Sequence, residues 1–353
     1  MFTLHHADEI EPLLDALAAV LRSAPADPFM PDLVVVPTAG LADVAKVGLG
    51  RRLGTSDTDG TAPGATDGVV ANVEFLFPGR FMARALGLQQ AGPKVEVDPD
   101  PWSISHLTWH VLEELEHGTI SVPGANRSNR WALARRVADL FDRYATQRPR
   151  LVQYWAQGQY TDGTYGSNGE LTTLGPDHHW QVDLWQAVRR RIDSPSPAER
   201  LPGLLQALRD GSLQPAVPQR VSLFGLGSIA PNQLTVLRAL AEVREVHLFL
   251  RHPSRRVWST PHGRLAGGLN LRSMLDVTTV VSHPLVESWG RLALEAKVLV
   301  AGAPDIAGVA HGADSLPPAT TVLQALQRGI RLDLAPTLDP TLTADDGSLQ
   351  VHA

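Results

Sequence analysis

Hydrophobic and polar positions along the chain follow two periods. Residues 1–5 read as a short strand. After them Ile10, Leu13, Leu14, Leu17, Val20 and Leu21 recur at i, i+3, i+4 and i+7, one apolar face of a helix. Asp8 stands where it can cap that helix, and Pro25 lies just past its end. The run Leu33-Val-Val-Val36 carries no polar residue, as a strand covered on both faces requires. A turn over 37–40 leads into a second helix at about 41–53, and the Gly-, Thr- and Asp-rich segment 55–68 reads as a surface loop. Residues 69–77 form a third strand, and Pro78 opens a short helix. Strand–helix units in succession predict an α/β fold with a parallel sheet and right-handed crossovers.

From 101 to about 211 the periodicity is helical only. One helix carries Leu133, Val137, Leu140, Phe141 and Tyr144 on a single face. Another runs through Trp180, Leu184, Trp185 and Val188 until Ser194-Pro-Ser-Pro197 breaks it. Strand signals return at 220–225 and 245–250 with a helix between them, and helices follow at about 283–301 and 320–331. The pattern divides the chain into 1–100, the first half of a sheet domain; 101–212, an all-helical insertion; 213–335, the second half of the sheet; and 336–353, a linker. After the Pro- and Asp-rich stretch 335–347, Ser348–Ala353 reads as the opening strand of a following domain, so the chain reads as part of a longer protein; a frayed tail is the alternative.

Composition narrows the chemistry. At 353 residues the chain has room for two or three domains. It has no cysteine, which excludes disulfides, thiolate metal sites and a cysteine nucleophile. The N-terminus lacks a basic segment followed by an unbroken apolar run, so it is not a signal peptide, and no run approaches the roughly 18 apolar residues of a membrane span. A cytoplasmic location is expected. The formal charge is −6, so a nucleic-acid partner would need a local basic groove.

Lysine is scarce, with only Lys46, Lys94 and Lys297. A phosphate-cradling loop needs Gly-Lys-Ser/Thr after a strand, and the turn here reads Pro37-Thr-Ala-Gly-Leu-Ala-Asp-Val-Ala-Lys46. Gly-Lys occurs nowhere. Pro37, Thr38, Ala39, Gly40 and Asp43 therefore form a turn placed like a nucleotide loop but without its chemistry. The later strands run into Gly225-Leu-Gly-Ser228 and Arg251-His-Pro253, with no acidic end to hold Mg²⁺.

Other catalytic patterns are weak. Glu295-Ala-Lys297 with Asp276 upstream fits a nuclease triplet, but helical spacing puts its members on different faces. His5-His6 and His178-His179 are adjacent pairs without metal-ligand spacing, and read as surface or capping residues. No catalytic or metal residue is assigned.

Binding chemistry remains. Arg189-Arg-Arg191, Arg148-Pro-Arg150 and Arg251-His-Pro-Ser-Arg-Arg256 lie near Trp155, Trp185 and Trp258 in sequence, and arginine with aromatic stacking suits a single strand. Solvated helix faces explain the same charges: Arg135, Asp139 and Arg143 are spaced for intrahelical ion pairs.

Several blocks resemble the RecC family, the gamma subunit of exodeoxyribonuclease V, in that family's order. They are Asn72-Val-Glu-Phe-Leu-Phe-Pro78, Ala138-Asp-Leu-Phe-Asp-Arg-Tyr144 with Arg148-Pro149, Arg220-Val with Gly225-Leu and Pro231, His247-Leu with Pro253 and Trp258, and Pro284-Leu-Val-Glu-Ser-Trp-Gly290. The resemblance implies a degenerate superfamily 1 helicase sheet without an ATP site, bearing a helical insertion. It implies a non-hydrolytic subunit that scaffolds a RecB-like helicase–nuclease and a RecD-like helicase, channels the displaced 3′ strand of double-strand breaks, and leaves ATP and Mg²⁺ to its partners. Some members scan that strand for a recombination hotspot. Asp139, Leu140, Asp142, Arg148 and Arg200 stand at matching contact positions. Pro37, Ala39 and Asp43 depart from the family's amide and hydroxyl readers, and Phe77 and Ala83 replace an aliphatic and an aromatic residue, so strand binding is expected with hotspot reading altered or lost. An ATP-dependent enzyme whose motor lies outside this segment, and a purely structural scaffold, are the rival readings.

Overall fold

The computed structural model describes residues 1–353 except 24–26, 28, 54–68, 89–99, 127, 166–168, 260–280, 302, 304, 314, 336–345 and 350–353. The expected loop 55–68, Pro25, Lys94, Asp276 and most of the C-terminal run 348–353 thus lie outside the described residues. In chain order the first elements are β1 (Phe2–Ala7), α1 (Ile10–Arg22), β2 (Asp32–Val35), α2 (Ala39–Gly50), β3 (Val73–Leu76) and α3 (Pro78–Ala85). Next come α4 (Ile104–His117), α5 (Arg130–Gln147), α6 (Pro149–Ala156), β4 (Thr161–Tyr165), β5 (Leu171–Thr173), α7 (His179–Ile192) and α8 (Pro197–Arg209). The chain continues with β6 (Arg220–Phe224), α9 (Pro231–Val243), β7 (Glu245–Arg251), α10 (Arg255–Ser259), α11 (Pro284–Trp289), α12 (Arg291–Ala301), β8 (Ile306–Ala310) and α13 (Val322–Leu332). Contacts divide it into one unit of Met1–Ala83, Val217–Ile229 and Leu240–Ala353, and another of Arg84–Ala216 with Ala230–Ala239.

The first unit holds a six-stranded sheet in the order β3-β2-β6-β7-β1-β8, with every pairing parallel. The register sets Leu33 beside Val221, Val221 beside Val246 and Phe2 beside Val246. Near-continuous apolar runs explain the central strands: Leu33–Val36, and Val246–Leu250 with only His247 polar, are buried, as strands covered on both faces must be. Leu13, Leu14 and Leu17 of α1 pack with Ala45 and Leu49 of α2 over Val34, Phe224 and Phe249. Arg220 at the start of β6 ties the sheet to its neighbour strand, with Nη2 donating to Asp32 Oδ1 (2.7 Å) and Nη1 to the Ser23 carbonyl (3.0 Å).

Three expectations change here. Residues 306–310 add an edge strand, β8, absent from the sequence reading. The helix expected over 283–301 is two helices meeting at Gly290, where a Cβ would lie 2.5 Å from the Val286 carbonyl oxygen. Asp8 does not cap α1. Glu9 is its N-cap and makes no side-chain capping bond. The Asp8 carboxylate instead receives Arg255 (Nε to Oδ2 2.6 Å, Nη2 to Oδ1 2.8 Å) and Arg331 (Nε to Oδ2 2.7 Å).

The second unit is built on helices α4–α8, whose apolar stripes enclose Leu107, Val111, Val137, Phe141, Trp155, Val182 and Trp185. It is not all-helical. β4 and β5 form a small antiparallel hairpin, held in part by hydroxyls: Thr161 Oγ1 donates to the Thr172 carbonyl (2.7 Å) and Thr164 Oγ1 to Thr172 Oγ1 (2.9 Å). Ser196 starts α8 with a reciprocal capping box to Glu199, which also accepts Arg189 (3.1 Å).

Candidate nucleic-acid interface

The expected nucleotide-like turn lies in the first unit, between β2 and α2. Only Val36, Pro37 and Thr38 separate the last residue of β2 from the first of α2. A Walker loop instead interposes glycine and four more residues before its Gly-Lys, so that successive N–H groups surround a phosphate. Here the Thr38 hydroxyl accepts the Leu41 N–H (3.2 Å), which satisfies a donor that a phosphate would otherwise take. The neighbouring strand β6 is followed by Gly225, in the left-handed region at φ +71°, and Leu41 fills the space over it: a Cβ there would come within 2.3 Å of Leu41 Cδ2. Asp43 pairs with Lys46 (3.4 Å). Pro37, Thr38, Ala39 and Gly40 are exposed, as is Phe77 at the end of the paired strand β3.

Four of the five strand-contact candidates lie on or beside α5 in the second unit. Asp139 and Asp142 are three residues apart on its accessible side, and Asp139 is ion-paired with Arg143 one turn on. Asp142 is half-buried, and burial, together with the charge of Asp139, raises its carboxyl above the ordinary value. Leu140 is half-buried. Arg148 ends α5 and precedes Pro149, the first residue of α6, where the missing N–H costs nothing. This junction presents Arg148 to solvent. Arg200 is on α8 and is ion-paired with Asp100, so the structure groups Asp139, Leu140, Asp142 and Arg148 along one helix and gives Arg200 a separate partner.

The aromatic residues expected to accompany these arginines are not available. Trp155 and Trp185 are 2% and 1% exposed, and the Trp155 indole N–H donates to the Thr161 carbonyl (3.0 Å). Trp258 stacks on His252 with centroids 4.8 Å apart. Of the arginine run 189–191, Arg189 pairs with Glu199, and Arg191 reaches Glu114 (2.7 Å) and Glu113 (3.2 Å). Sequence reasoning missed two tryptophans that are exposed in this unit, Trp109 on α4 and Trp131 on α5.

The remaining chemistry is structural. Lys297 of the nuclease-like triplet is buried and donates to the Val257 carbonyl (3.1 Å) and that of Trp258; burial lowers its ammonium to about 8. Glu295 faces Arg291 (3.6 Å). His5 is not a surface residue: it lies in the sheet with Nδ1 2.9 Å from His311 Nε2 and Nε2 3.1 Å from His247 Nδ1, and burial, then His247 and His311, lower it to about 4. Because its two nitrogens face different partners, the row is a hydrogen-bonded ladder. Among the described residues no group of three or more His, Asp or Glu is arranged to hold a metal, and no helix is long and apolar enough to cross a membrane.

Comparison with known proteins gives the family. A family profile described as "RecC, N-terminal domain" matches residues 2–333. The chain is similar to the RecBCD enzyme subunit RecC of Mycobacterium tuberculosis, with 31% identity over 99% of this chain and 31% of that protein. The Mycolicibacterium smegmatis subunit is 31% identical over 99% of this chain and 30% of its own length, and that of Escherichia coli 23% over 73% and 22%. The chain spans about three tenths of the length of the curated relatives it matches. From residue 2 to residue 333, then, this chain is a member of the RecC family, matching its N-terminal domain.

Proposed function

We propose that the chain is the N-terminal part of a DNA-channelling, non-hydrolytic scaffold subunit of a RecBCD-type helicase–nuclease acting in recombinational repair of double-strand breaks. On this reading the sheet is a helicase-type domain that has lost its ATP site. A RecB-like helicase–nuclease and a RecD-like helicase supply ATP turnover, Mg²⁺ and strand cleavage. The relatives' shared name, RecBCD enzyme subunit RecC, supports the assignment to such an assembly.

The observation that carries the non-hydrolytic part is the β2–α2 connection. A three-residue connection, the Leu41 N–H capped by Thr38 and Leu41 over Gly225 leave less length and fewer open N–H groups than a triphosphate loop offers. The strand path is assigned to α5, where Asp139, Leu140 and Asp142 offer acceptors and an apolar contact, and exposed Arg148 offers a cation for phosphate. Arg200 on α8, which also pairs with Asp100, is a further cation offered to the strand. Hotspot reading through the turn is absent or altered, because Pro37 and Ala39 have no side-chain donors or acceptors for a base edge.

The test is ATP hydrolysis by the full-length protein alone, with and without single-stranded DNA. No turnover above background is expected; turnover abolished by substitution in the turn 37–40 would overturn the reading.

A further inference from the structure

Trp109 and Trp131 are 57% and 46% exposed, while Trp102, Trp155 and Trp185 of the same unit are 5% or less. Their ring centroids are 4.9 Å apart with planes at 55°, so the rings touch at an angle and are not stacked face to face. Burial removes most of an indole from water in an ordinary core; two indoles left together at the surface mark a place where something else covers them.

The residues around them indicate what. Arg130, Arg135 and Arg136 flank Trp131 on α5, and Arg135 and Arg136 are exposed. Positions 131, 135, 139 and 143 follow at four-residue intervals, so tryptophan, arginine, aspartate and arginine form one stripe. At 1.5 Å per residue the stripe rises roughly 12 Å from Trp131 to Asp139, and Arg148 lies about 25 Å from Trp131 along the helix. On α4 the nearby Glu113 is occupied by Arg191 (3.2 Å) and by His110 (3.6 Å). A protein-docking patch is depleted of charge at its centre. Here an aromatic face is followed instead by the exposed cations Arg135 and Arg136, with Asp139 and Arg143 ion-paired with each other one turn on, and aromatic faces beside cations hold bases by stacking and phosphates by charge.

We infer that Trp109 and Trp131 form a stacking platform for a single strand of nucleic acid, extending the strand path along α5 from Arg148 back to the start of the helix. The platform is sequence-tolerant, since every base has a π face. It therefore holds the strand in register while residues further along α5 meet base edges. The inference rests on the strand path proposed above.

The test uses the assembled helicase–nuclease complex containing the full-length protein, bound to a forked duplex whose 3′ tail carries 5-iodouracil at one position at a time. Irradiation is expected to crosslink one or two tail positions to peptides containing Trp109 or Trp131. Trp109→Ala with Trp131→Ala removes these crosslinks and weakens fork binding about 5- to 150-fold, the range for one lost stack. Trp109→Phe with Trp131→Phe retains most of the binding, because phenylalanine also stacks. If the alanine pair leaves crosslinks and affinity unchanged while Arg148→Ala weakens binding, the platform is refuted and the strand path stands. If neither does, both fall. If the alanine pair impairs subunit assembly and leaves the crosslinks in place, the patch is a protein contact and the inference is wrong.

Discussion

Replacing Asp8 by Asn separates two roles that the sequence alone leaves open. As the N-cap of α1, Asp and Asn are about equally good, so the change would cost only a few tenths of a kcal/mol. As the structure has it, the Asp8 side chain is fully buried and accepts three bonds from Arg255 and Arg331, joining the end of β1 to α10 and α13. Removing the negative charge leaves two guanidinium groups facing a neutral amide. Breaking a fully buried pair costs about 3–5 kcal/mol. The two arginine side chains are 24% and 20% exposed, so water recovers part of that and about 2–4 kcal/mol is expected. For a unit of this size that is roughly a 4–16 °C fall in Tm. The assay is urea denaturation of wild type and Asp8→Asn, comparing midpoints at equal slope. A change below about 0.5 kcal/mol would match the capping role and refute the clamp. Linkage gives a second readout. Burial opposes ionisation of Asp8, but the bonds from Arg255 and Arg331 outweigh it and hold the carboxyl below its ordinary value. The clamp's contribution is complete above about pH 4 and is lost as pH falls through the lowered value.

Two further outcomes follow from the same structure. Burial holds His5 and His6 at about 4 and His252 at about 3, so unfolding takes up protons below the ordinary histidine value. These groups cost nothing above about pH 6.5 and destabilise the fold as pH falls toward 4, with about three protons bound on unfolding near pH 5; a flat pH dependence across that window would contradict it. Gly225→Ala forces a side chain into the left-handed region and into Leu41, and is expected to cost about 1–3 kcal/mol by thermal denaturation. Adding Leu41→Ala should recover only the steric part, and full recovery would show that the backbone conformation is unimportant.

The central strands were legible because burial on both faces leaves a near-continuous signal: Leu33–Val36 has no polar position, and Val246–Leu250 has only His247. Edge and surface strands send no such signal. Ile306-Ala-Gly-Val-Ala310 pairs on one side and is largely exposed, so small residues suffice. The hairpin Thr161–Tyr165 with Leu171–Thr173 is held partly by hydroxyls and shows no apolar alternation. Asp8 was misassigned because its arginine partners lie 247 and 323 residues away. The aromatic pair was readable in principle. The buried residues of α4 include Leu107, Val111 and Leu115, and those of α5 include Ala134, Val137 and Phe141; Trp109 and Trp131 fall outside both sets. Sequence proximity to arginine pointed to Trp155 and Trp185 instead, which the helical period assigns to the core.

The central claim is that this chain guides a strand along α5 and turns over no nucleotide. A structure of the assembled complex on a forked duplex with a 3′ tail and an ATP analogue tests it most directly. The account predicts strand density along α5 with a phosphate at Arg148, and no nucleotide at Pro37–Gly40. A strand routed away from α5, or a nucleotide seated in that turn, would contradict it.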